Sequence, residues 1–274
     1  MKRILTGAGK PAKGDMMMTK KPTSKLNRFL AFYILILILV GGLSLYFANA
    51  AAPQGATLSG EVVTTRANLT PGSETHPGGR IISLSMSLEQ QIFSWKAYVG
   101  NVSGKYVLQN ANNQSIYEWP LGTSITGEVY ISRNSSVSFS LGTIVCANDT
   151  LMDTEQQLFG MSSSDIYSIN NTFNSTNHTA FSTGDNNFAT NSCPYTALWI
   201  NDTQQTPYNN SIFQEVVLYN TVGLGLVYAT IINNDQRGYD NATTSGTFDF
   251  QAIVPENSSD QTGTAYYFYL ELGS

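Results

Sequence analysis

A two-residue alternation of side chains, with apolar residues at every second position, is the feature that most constrains this fold. It runs through residues 82–88, 137–145, 248–254 and 266–272. Because successive side chains of a β-strand point to opposite faces, each stretch can bury one face and leave the other in water. The pattern therefore predicts antiparallel strands and an all-β fold.

Further stretches favour strands and are separated by Gly, Asn and Asp turn signals. They cover residues 91–99, 104–109, 115–119, 125–132, 195–200, 213–220 and 225–233. About eleven strands in roughly 195 residues fit one domain. We expect an extracellular antiparallel β-sandwich at residues 80–274, of jelly-roll or immunoglobulin-like type.

The span from residue 150 to residue 174 has a different pattern. In residues 150–159, Leu151 and Leu158 follow helical spacing, and in residues 162–173, Ile166, Ile169 and Phe173 share one side. Possible N-cap residues precede the second stretch. We expect one or two short helices inserted into the β-domain, followed by an Asn-rich return to Cys193.

The N-terminal 50 residues contain an export or anchoring signal. Residues 1–28 carry eight basic residues and one acidic residue, and the run from Phe29 to Ala48 is uncharged. The basic flank should remain cytoplasmic, and the run has the length of a membrane span. Ala48-Asn49-Ala50 matches a small-x-small cleavage site. Cleavage after Ala50 is favoured over a retained anchor, and both alternatives stay open.

Residues 51–79 are rich in Ala, Gly, Thr and Pro, which predicts an extended arm or linker. A strand at residues 56–65 is one possibility within it. The remaining chain, residues 51–274, carries six basic and eighteen acidic residues. A nucleic-acid partner is therefore not expected, because phosphate binding needs clustered basic side chains.

Twelve Asn-x-Ser/Thr sequons follow the hydrophobic run, and none precedes it. Such acceptors are useful on an exported surface, so we expect an extracellular or cell-surface glycoprotein carrying N-linked glycans. The candidate acceptors are Asn68, Asn101, Asn113, Asn134, Asn148, Asn170, Asn174, Asn177, Asn201, Asn209, Asn241 and Asn257.

The chain has two cysteines, Cys146 and Cys193. In an oxidising compartment an isolated pair most simply forms one disulfide. Two buried thiols are the alternative. A zinc site is not expected, because two cysteines without nearby histidines cannot complete its ligand shell.

No residue is assigned a catalytic, cofactor-binding or metal-binding role. The two histidines, His76 and His178, lie in contexts that predict solvated side chains rather than a catalytic triad. The carboxylates that glycoside hydrolysis would need have six candidates, of which Glu128 and Glu215 lie among apolar strand residues. The candidates are Glu128, Asp153, Glu155, Glu215, Asp249 and Glu271.

Three other features have a structural and a functional interpretation. The clusters 185–187 and 233–235 contain Asp and Asn oxygens that suit either turns or calcium. Lys96 and Lys105 are expected to be ordinary surface lysines, with an isopeptide crosslink as the alternative. Tyr267 and Tyr269 lie on the expected outer face of the last strand and suit either packing or a sugar-binding platform.

Residues 95–117, together with Trp119, residues 127–130 and residues 146–150, resemble secreted β-rich surface glycoproteins of archaea. The low charge and abundant Asn, Ser, Thr and Tyr are similar to exported archaeal proteins of that kind. The resemblance covers most of residues 80–274. It implies location and class, namely a filament or envelope subunit, and no catalytic residue.

We therefore expect a non-enzymatic structural subunit of a surface filament or envelope layer, associating with itself or with other surface proteins. Residues 51–66 would add a strand to the open sheet edge of a neighbouring copy. A membrane-anchored adhesin or carbohydrate-binding protein is the first alternative, with membrane contact only through the run from Phe29 to Ala48. An extracellular hydrolase is the second.

Overall fold

A computed structural model of the chain describes residues 52–61, 63, 92–122, 124–240, 246–257 and 263–273. The predicted leader at 1–50, the cleavage site at Ala50 and the expected strand at 82–88 lie outside the described residues. Within the described residues, no helix is long and apolar enough to cross a bilayer.

Strands dominate the described part of the chain. The first eight are β1 (Gln54–Gly55), β2 (Trp95–Gly100), β3 (Lys105–Gln109), β4 (Ser115–Pro120), β5 (Gly127–Ser132), β6 (Ile144–Cys146), β7 (Phe181–Thr183) and β8 (Asn186–Phe188). The remainder are β9 (Tyr195–Ala197), β10 (Gln214–Asn220), β11 (Gly225–Ile231), β12 (Gln236–Arg237), β13 (Thr247–Phe248), β14 (Phe250–Pro255) and β15 (Tyr267–Leu272). Two helices, α1 (Asp149–Leu158) and α2 (Ile169–Thr172), lie between β6 and β7. The expected β-rich fold with short inserted helices is confirmed.

Seven strands form one antiparallel sheet, here called the large sheet. Its order is β1-β15-β5-β11-β10-β6, and β9 pairs with the same edge of β10 as β6. The central hairpin of β10 and β11 is buried along nearly its whole length. Its Val, Leu and Ala residues are apolar on both faces, as expected for strands covered on two sides.

Face one of the large sheet contains Val129, Val217 and Tyr228, which share one side according to the strand register. The two-stranded sheet of β2 and β14 covers this face together with both helices. Ala252 and Val254 from β14 and Met152 from α1 join the same buried cluster. The first core of the domain is therefore built between the large sheet and the β2–β14 sheet.

Polar side chains fix the position of β14 on face one. The Thr230 hydroxyl donates to the carbonyl of Gln251 over 2.7 Å, and the backbone N–H of Ile253 donates to Glu215 over 2.9 Å. The Tyr266 hydroxyl donates to the carbonyl of Pro255. These side chains satisfy outward-pointing backbone groups of β14, which buried backbone requires.

Face two contains Tyr130, Val216 and Val227, and it is covered by the β7–β8 hairpin and the irregular segment at 137–143. Phe139, Phe181 and other aromatic side chains complete this second core. The large sheet is thus covered on both faces.

The predicted disulfide joins Cys146 and Cys193, with a Cα–Cα distance of 5.0 Å. Cys146 pairs with Leu218 of β10, and Tyr195 of β9 pairs with Val216 of the same strand. The bond therefore ties together the two short strands that share one edge of β10, and it closes the insertion that contains both helices.

Helix α1 begins one residue before the predicted stretch and is capped by Asn148, whose side chain accepts the N–H of Leu151 over 2.9 Å. Its residue Glu155 forms two 2.7 Å hydrogen bonds to Arg133 of the sheet. Helix α2 is capped by Ser168 and is shorter than the predicted stretch at 162–173. Both helices pack on face one.

The strand predicted at 137–145 is wrong except for its end, because β6 spans only Ile144–Cys146. The Asn186 amide binds the carbonyls of Phe139 and Ser140 and the N–H of Gly142, so side-chain bonds replace a strand ladder there. No strand occurs in the described part of the stretch predicted at 56–65; β1 lies just before it.

The β7–β8 hairpin was not predicted. Its turn is Gly184-Asp185, and Gly184 has a φ of 55°, which suits a tight hairpin. The dipeptide was the available signal, but each flanking strand has only three residues and lies in an Asn-rich stretch.

Removing the disulfide should lower stability without changing the fold. In the chain-entropy model a loop of this size contributes about 4 kcal/mol to the free energy of unfolding. We expect Cys146→Ser/Cys193→Ser to lose about that amount in urea unfolding followed by circular dichroism. Reduced wild-type protein is the matched control and should unfold at the same urea concentration as the variant. Equal stability of the oxidised protein and the variant would contradict the role assigned to the bond.

Candidate functional site

The outer edge of β15, here called the arm-binding edge, holds the N-terminal arm of residues 52–61. Gln54 pairs with Leu270 and Gly55 with Tyr269, and the N–H of Ala56 donates to the carbonyl of Phe268 over 2.9 Å. The arm then continues without further strand pairing. This edge is the place where a segment predicted to be exchangeable meets the folded domain.

The arm is weakly attached to the domain. Pro53 is its one buried residue among residues 52–61, whereas Leu58 is 65 % exposed. Val63, two residues beyond the arm, is 76 % exposed. The contacts that secure the arm are thus a short run of backbone hydrogen bonds and one proline. Each such bond contributes about 0.5–1.5 kcal/mol net, so detaching the arm costs little.

Two carboxyl groups lie beneath the arm-binding edge. Glu128 of β5 and Glu271 of β15 are direct cross-strand partners on face two. Gly127 permits this pairing because its φ is 130° and a Cβ there would meet the Glu271 carbonyl oxygen at 2.0 Å. With glycine at this position, β5 starts closer to β15 than a residue with a Cβ atom would allow.

Glu271 is held by hydrogen bonds from two elements. The Tyr130 hydroxyl donates to its Oε2 over 2.8 Å, and the N–H of Gly184 lies 2.9 and 3.0 Å from its two oxygens. The Gly184 turn also approaches Pro53 of the arm, since a Cβ at Gly184 would lie 3.7 Å from the proline ring. The arm, the β7–β8 turn and the carboxyl pair thus form one contiguous site.

The environment of Glu128 favours its protonated form. Burial, together with the negative charge of Glu271, raises the pKa of Glu128 to about 8, and a hydrogen bond from Tyr130 partly offsets this rise. Two adjacent carboxylates disfavour simultaneous ionisation. At neutral pH the pair therefore favours a protonated Glu128.

Glu128 and Glu215 cannot act as one catalytic pair. Glu215 is opposite Thr230, whereas Glu128 is opposite Ile231, and these successive residues of β11 point to opposite faces. Glu215 is fully buried on face one, where burial raises its pKa and the bond from Ile253 lowers it. It positions β14 rather than facing a cleft.

The other candidate carboxylates also bind protein groups. Asp153 accepts from Gln156 and Asn170, and Glu155 pairs with Arg133. Asp249 accepts the N–H groups of Val102 and Asp235, so it organises a turn. Among the described residues, no cluster of three or more His, Cys, Asp or Glu side chains is suited to hold a metal.

The Asp/Asn clusters are occupied by turn hydrogen bonds. The Asn186 amide binds segment 139–142, and the Asn234 amide bonds both backbone groups of Ile125. Lys96 contacts Glu256, and Lys105 lies 2.6 Å from Glu118, so both lysines form ion pairs.

The prediction of a solvated His178 is wrong. The side chain is fully buried, and its Nε2 accepts the N–H groups of Ser192 and Cys193 over 3.0 and 2.9 Å. Nδ1 lies 2.6 Å from the carbonyl of Thr179 and donates to it. Burial lowers the pKa of His178, partly offset by the bond to Thr179. His178 is a structural residue beside the disulfide; His76 lies outside the described residues.

Tyr267 and Tyr269 do not form a shared platform. Tyr267 is 45 % exposed, but Tyr269 packs edge-on against Phe139 at 5.4 Å and donates its hydroxyl to the carbonyl of Asn134. The ring of Tyr269 therefore packs in the core of face two.

The sequons fall into separate structural groups. Asn134 and Asn170 are half-buried and donate through Nδ2 to the carbonyl of Gly223 and to Asp153, over 2.9 and 2.8 Å. Asn201 and Asn257 are also half-buried, and Asn68 and Asn241 lie outside the described residues. The exposed acceptors are Asn101, Asn113, Asn148, Asn174, Asn177 and Asn209.

No protein-family model, curated protein or solved structure matches this chain.

Glycan occupancy should follow this division. We expect peptide mapping of the native protein to find glycans on exposed acceptors such as Asn113 and Asn174 and none on Asn134 or Asn170. A sugar on either half-buried Nδ2 would displace a hydrogen-bonded neighbour. Asn134→Gln should lower stability by about 1 kcal/mol or more, whereas the matched variant Asn113→Gln should be neutral. A fully glycosylated Asn134 in folded protein would contradict this assignment.

Glu128 should make the protein less stable as pH rises. Its pKa in the folded chain, about 8, exceeds that of an unfolded glutamate, so the folded state binds the extra proton. The stabilisation is present below the unfolded pKa and is lost as pH rises through about 8. Glu128→Gln should flatten this decline and raise stability at pH 9 by roughly 1–3 kcal/mol.

The measurement is urea unfolding between pH 5 and pH 9. Asp185→Asn, at an exposed carboxylate in the neighbouring turn, is the matched control and should retain the wild-type slope. Parallel profiles for wild type and Glu128→Gln would show that the carboxyl pair is not coupled to folding.

Proposed function

We propose that this chain is a non-enzymatic extracellular structural glycoprotein, a subunit of an archaeal surface filament or envelope layer. The single observation that carries the proposal is the thinly held arm at the arm-binding edge. The body has two extensive cores, yet residues 54–61 remain exposed and pair with β15 over only a few residues. A weakly attached segment on a well-packed domain is suited to leave its own domain and bind another.

Assembly would proceed by strand exchange. The arm of one copy would take the place that the arm of the next copy vacates on β15, so the backbone hydrogen bonds are conserved in number. Leu58 and Val63, exposed in the single chain, would then gain a neighbouring surface. Such a head-to-tail contact repeats without closing and generates a filament.

Three further features support an extracellular location. The disulfide requires a non-reducing environment. Six sequon asparagines are exposed in the part of the domain that the structure describes. The hydrophobic run from Phe29 to Ala48 supplies an export signal or anchor. The packing of the β2–β14 sheet on the large sheet supports assignment of the fold to the β-sandwiches, of jelly-roll or immunoglobulin-like type, as part of the same proposal.

A cysteine pair tests the exchange directly. Gln54 and Leu270 are register partners, so Gln54→Cys/Leu270→Cys should form a disulfide under mild oxidation. We expect a ladder of covalent multimers on non-reducing gels of assembled protein, and crosslinked monomers from unassembled protein. The single variant Gln54→Cys is the matched control and should give no ladder.

Deletion of residues 51–66 should give a soluble, folded protein that fails to polymerise in negative-stain images. Normal filaments from the deletion variant, or only intrachain crosslinks in assembled protein, would refute assembly by strand exchange.

A further inference from the structure

The β3–β4 hairpin has one strongly apolar face. Tyr106 pairs with Trp119, and Leu108 pairs with Tyr117, so the four side chains lie on the same side. We call them the aromatic platform. The rings of Tyr117 and Trp119 are 4.7 Å apart and tilted by 58°. The hairpin therefore presents a contiguous patch of three aromatic side chains and one leucine.

The platform is open to solvent. Its side chains are 48–58 % exposed, and all six residues of β4 are exposed. A two-stranded hairpin is marginally stable alone in water, and an exposed apolar patch of a few hundred Å² commonly marks an interaction site. Packing within the chain therefore does not account for the exposed apolar surface of the platform.

The size of the patch favours a small ligand. Aromatic side chains offer about 150–250 Å² each, so at half exposure the platform presents roughly 400 Å². A stable contact between two protein chains buries about 800 Å² on each partner. The platform therefore has about half the area that a second copy of the chain would need.

The charge of the hairpin favours a neutral ligand. Lys105 and Glu118 lie on the opposite face and pair with each other over 2.6 Å. The four side chains of the platform are themselves uncharged, so the platform does not select a charged ligand.

A cleft continues the platform at its base. It has a volume of about 190 Å³, and Tyr106 belongs both to its wall and to the platform. Ser124 and Thr126 contribute hydroxyl groups to the lining, and Leu121 and Leu272 contribute apolar surface. The lining therefore combines apolar side chains with polar groups, and both kinds of group occur in small-ligand sites.

We propose that the aromatic platform and this cleft bind a neutral oligosaccharide. Sugar rings have an apolar face of C–H bonds and a rim of hydroxyl groups. The C–H face would lie on the negative π-faces of Tyr117 and Trp119. The hydroxyl rim would hydrogen-bond to Ser124 and Thr126 in the cleft. The platform lies on β3 and β4 and shares no residue with the arm-binding edge, whereas Leu272 of the cleft belongs to the same strand, β15.

The test uses the intact chain made in a host without N-glycosylation, so that no attached glycan occupies the platform. The probes are linear hexaoses of glucose, mannose and N-acetylglucosamine. Their binding is measured by calorimetry and by Trp fluorescence. We expect at least one hexaose to bind, and both Trp119→Ala and Tyr117→Ala to weaken that binding about tenfold or more. The matched control is Ile116→Ala, an exposed apolar position next to Tyr117 that is not part of the platform.

Several outcomes would overturn the proposal. One is no binding of any of the three hexaoses at about 10 mM, a limit of roughly 3 kcal/mol. Another is equal weakening by Ile116→Ala, which would indicate a nonspecific effect on the hairpin. A third is a lower self-association mass in light scattering for Trp119→Ala with sugar binding unchanged, which would make the platform a contact between protein chains. Circular dichroism of each variant checks that the domain remains folded.

Discussion

Hydrogen bonds to the outer edge of β14, from two side chains of the large sheet and from Tyr266 just before β15, hold the two sheets in one relative position. Glu215, Thr230 and Tyr266 satisfy backbone groups at successive alternate residues of β14. A shift of β14 by one residue would turn those groups away and leave the fully buried Glu215 without its donor, which is costly in an apolar interior. The first core, and with it the placement of both helices, depends on this polar contact.

The arm-binding edge follows a different physical rule from the body of the domain. The body is secured by two apolar cores and a disulfide, whereas the arm contributes one buried proline and a few backbone bonds. Backbone bonds do not depend on side-chain identity, so in the proposed assembly the same edge would accept the arm of another copy. Weak attachment and general recognition together are what strand exchange requires.

Two buried titratable groups lower the stability of the fold at opposite ends of the pH range. His178 must stay neutral because its Nε2 accepts two N–H groups, and burial lowers its pKa, so acid weakens the region around the disulfide. Glu128 favours its protonated form, so alkaline conditions weaken the site below the arm. The arm-binding edge and the disulfide region therefore respond to pH in opposite directions.

The sequence by itself determined strands β5, β9, β10, β11 and β15 of the large sheet, the approximate positions of both helices and the disulfide, because alternation, cap residues and an isolated cysteine pair are local signals. It did not predict β1. It failed at residues 137–145, where the distant Asn186 amide replaces a strand ladder, and at His178, whose burial depends on a loop fourteen residues away. The pairing of Glu128 with Glu271, rather than with Glu215, was decided only by the tertiary structure. Strand order and register bring residues 143 positions apart together, and no local pattern encodes them.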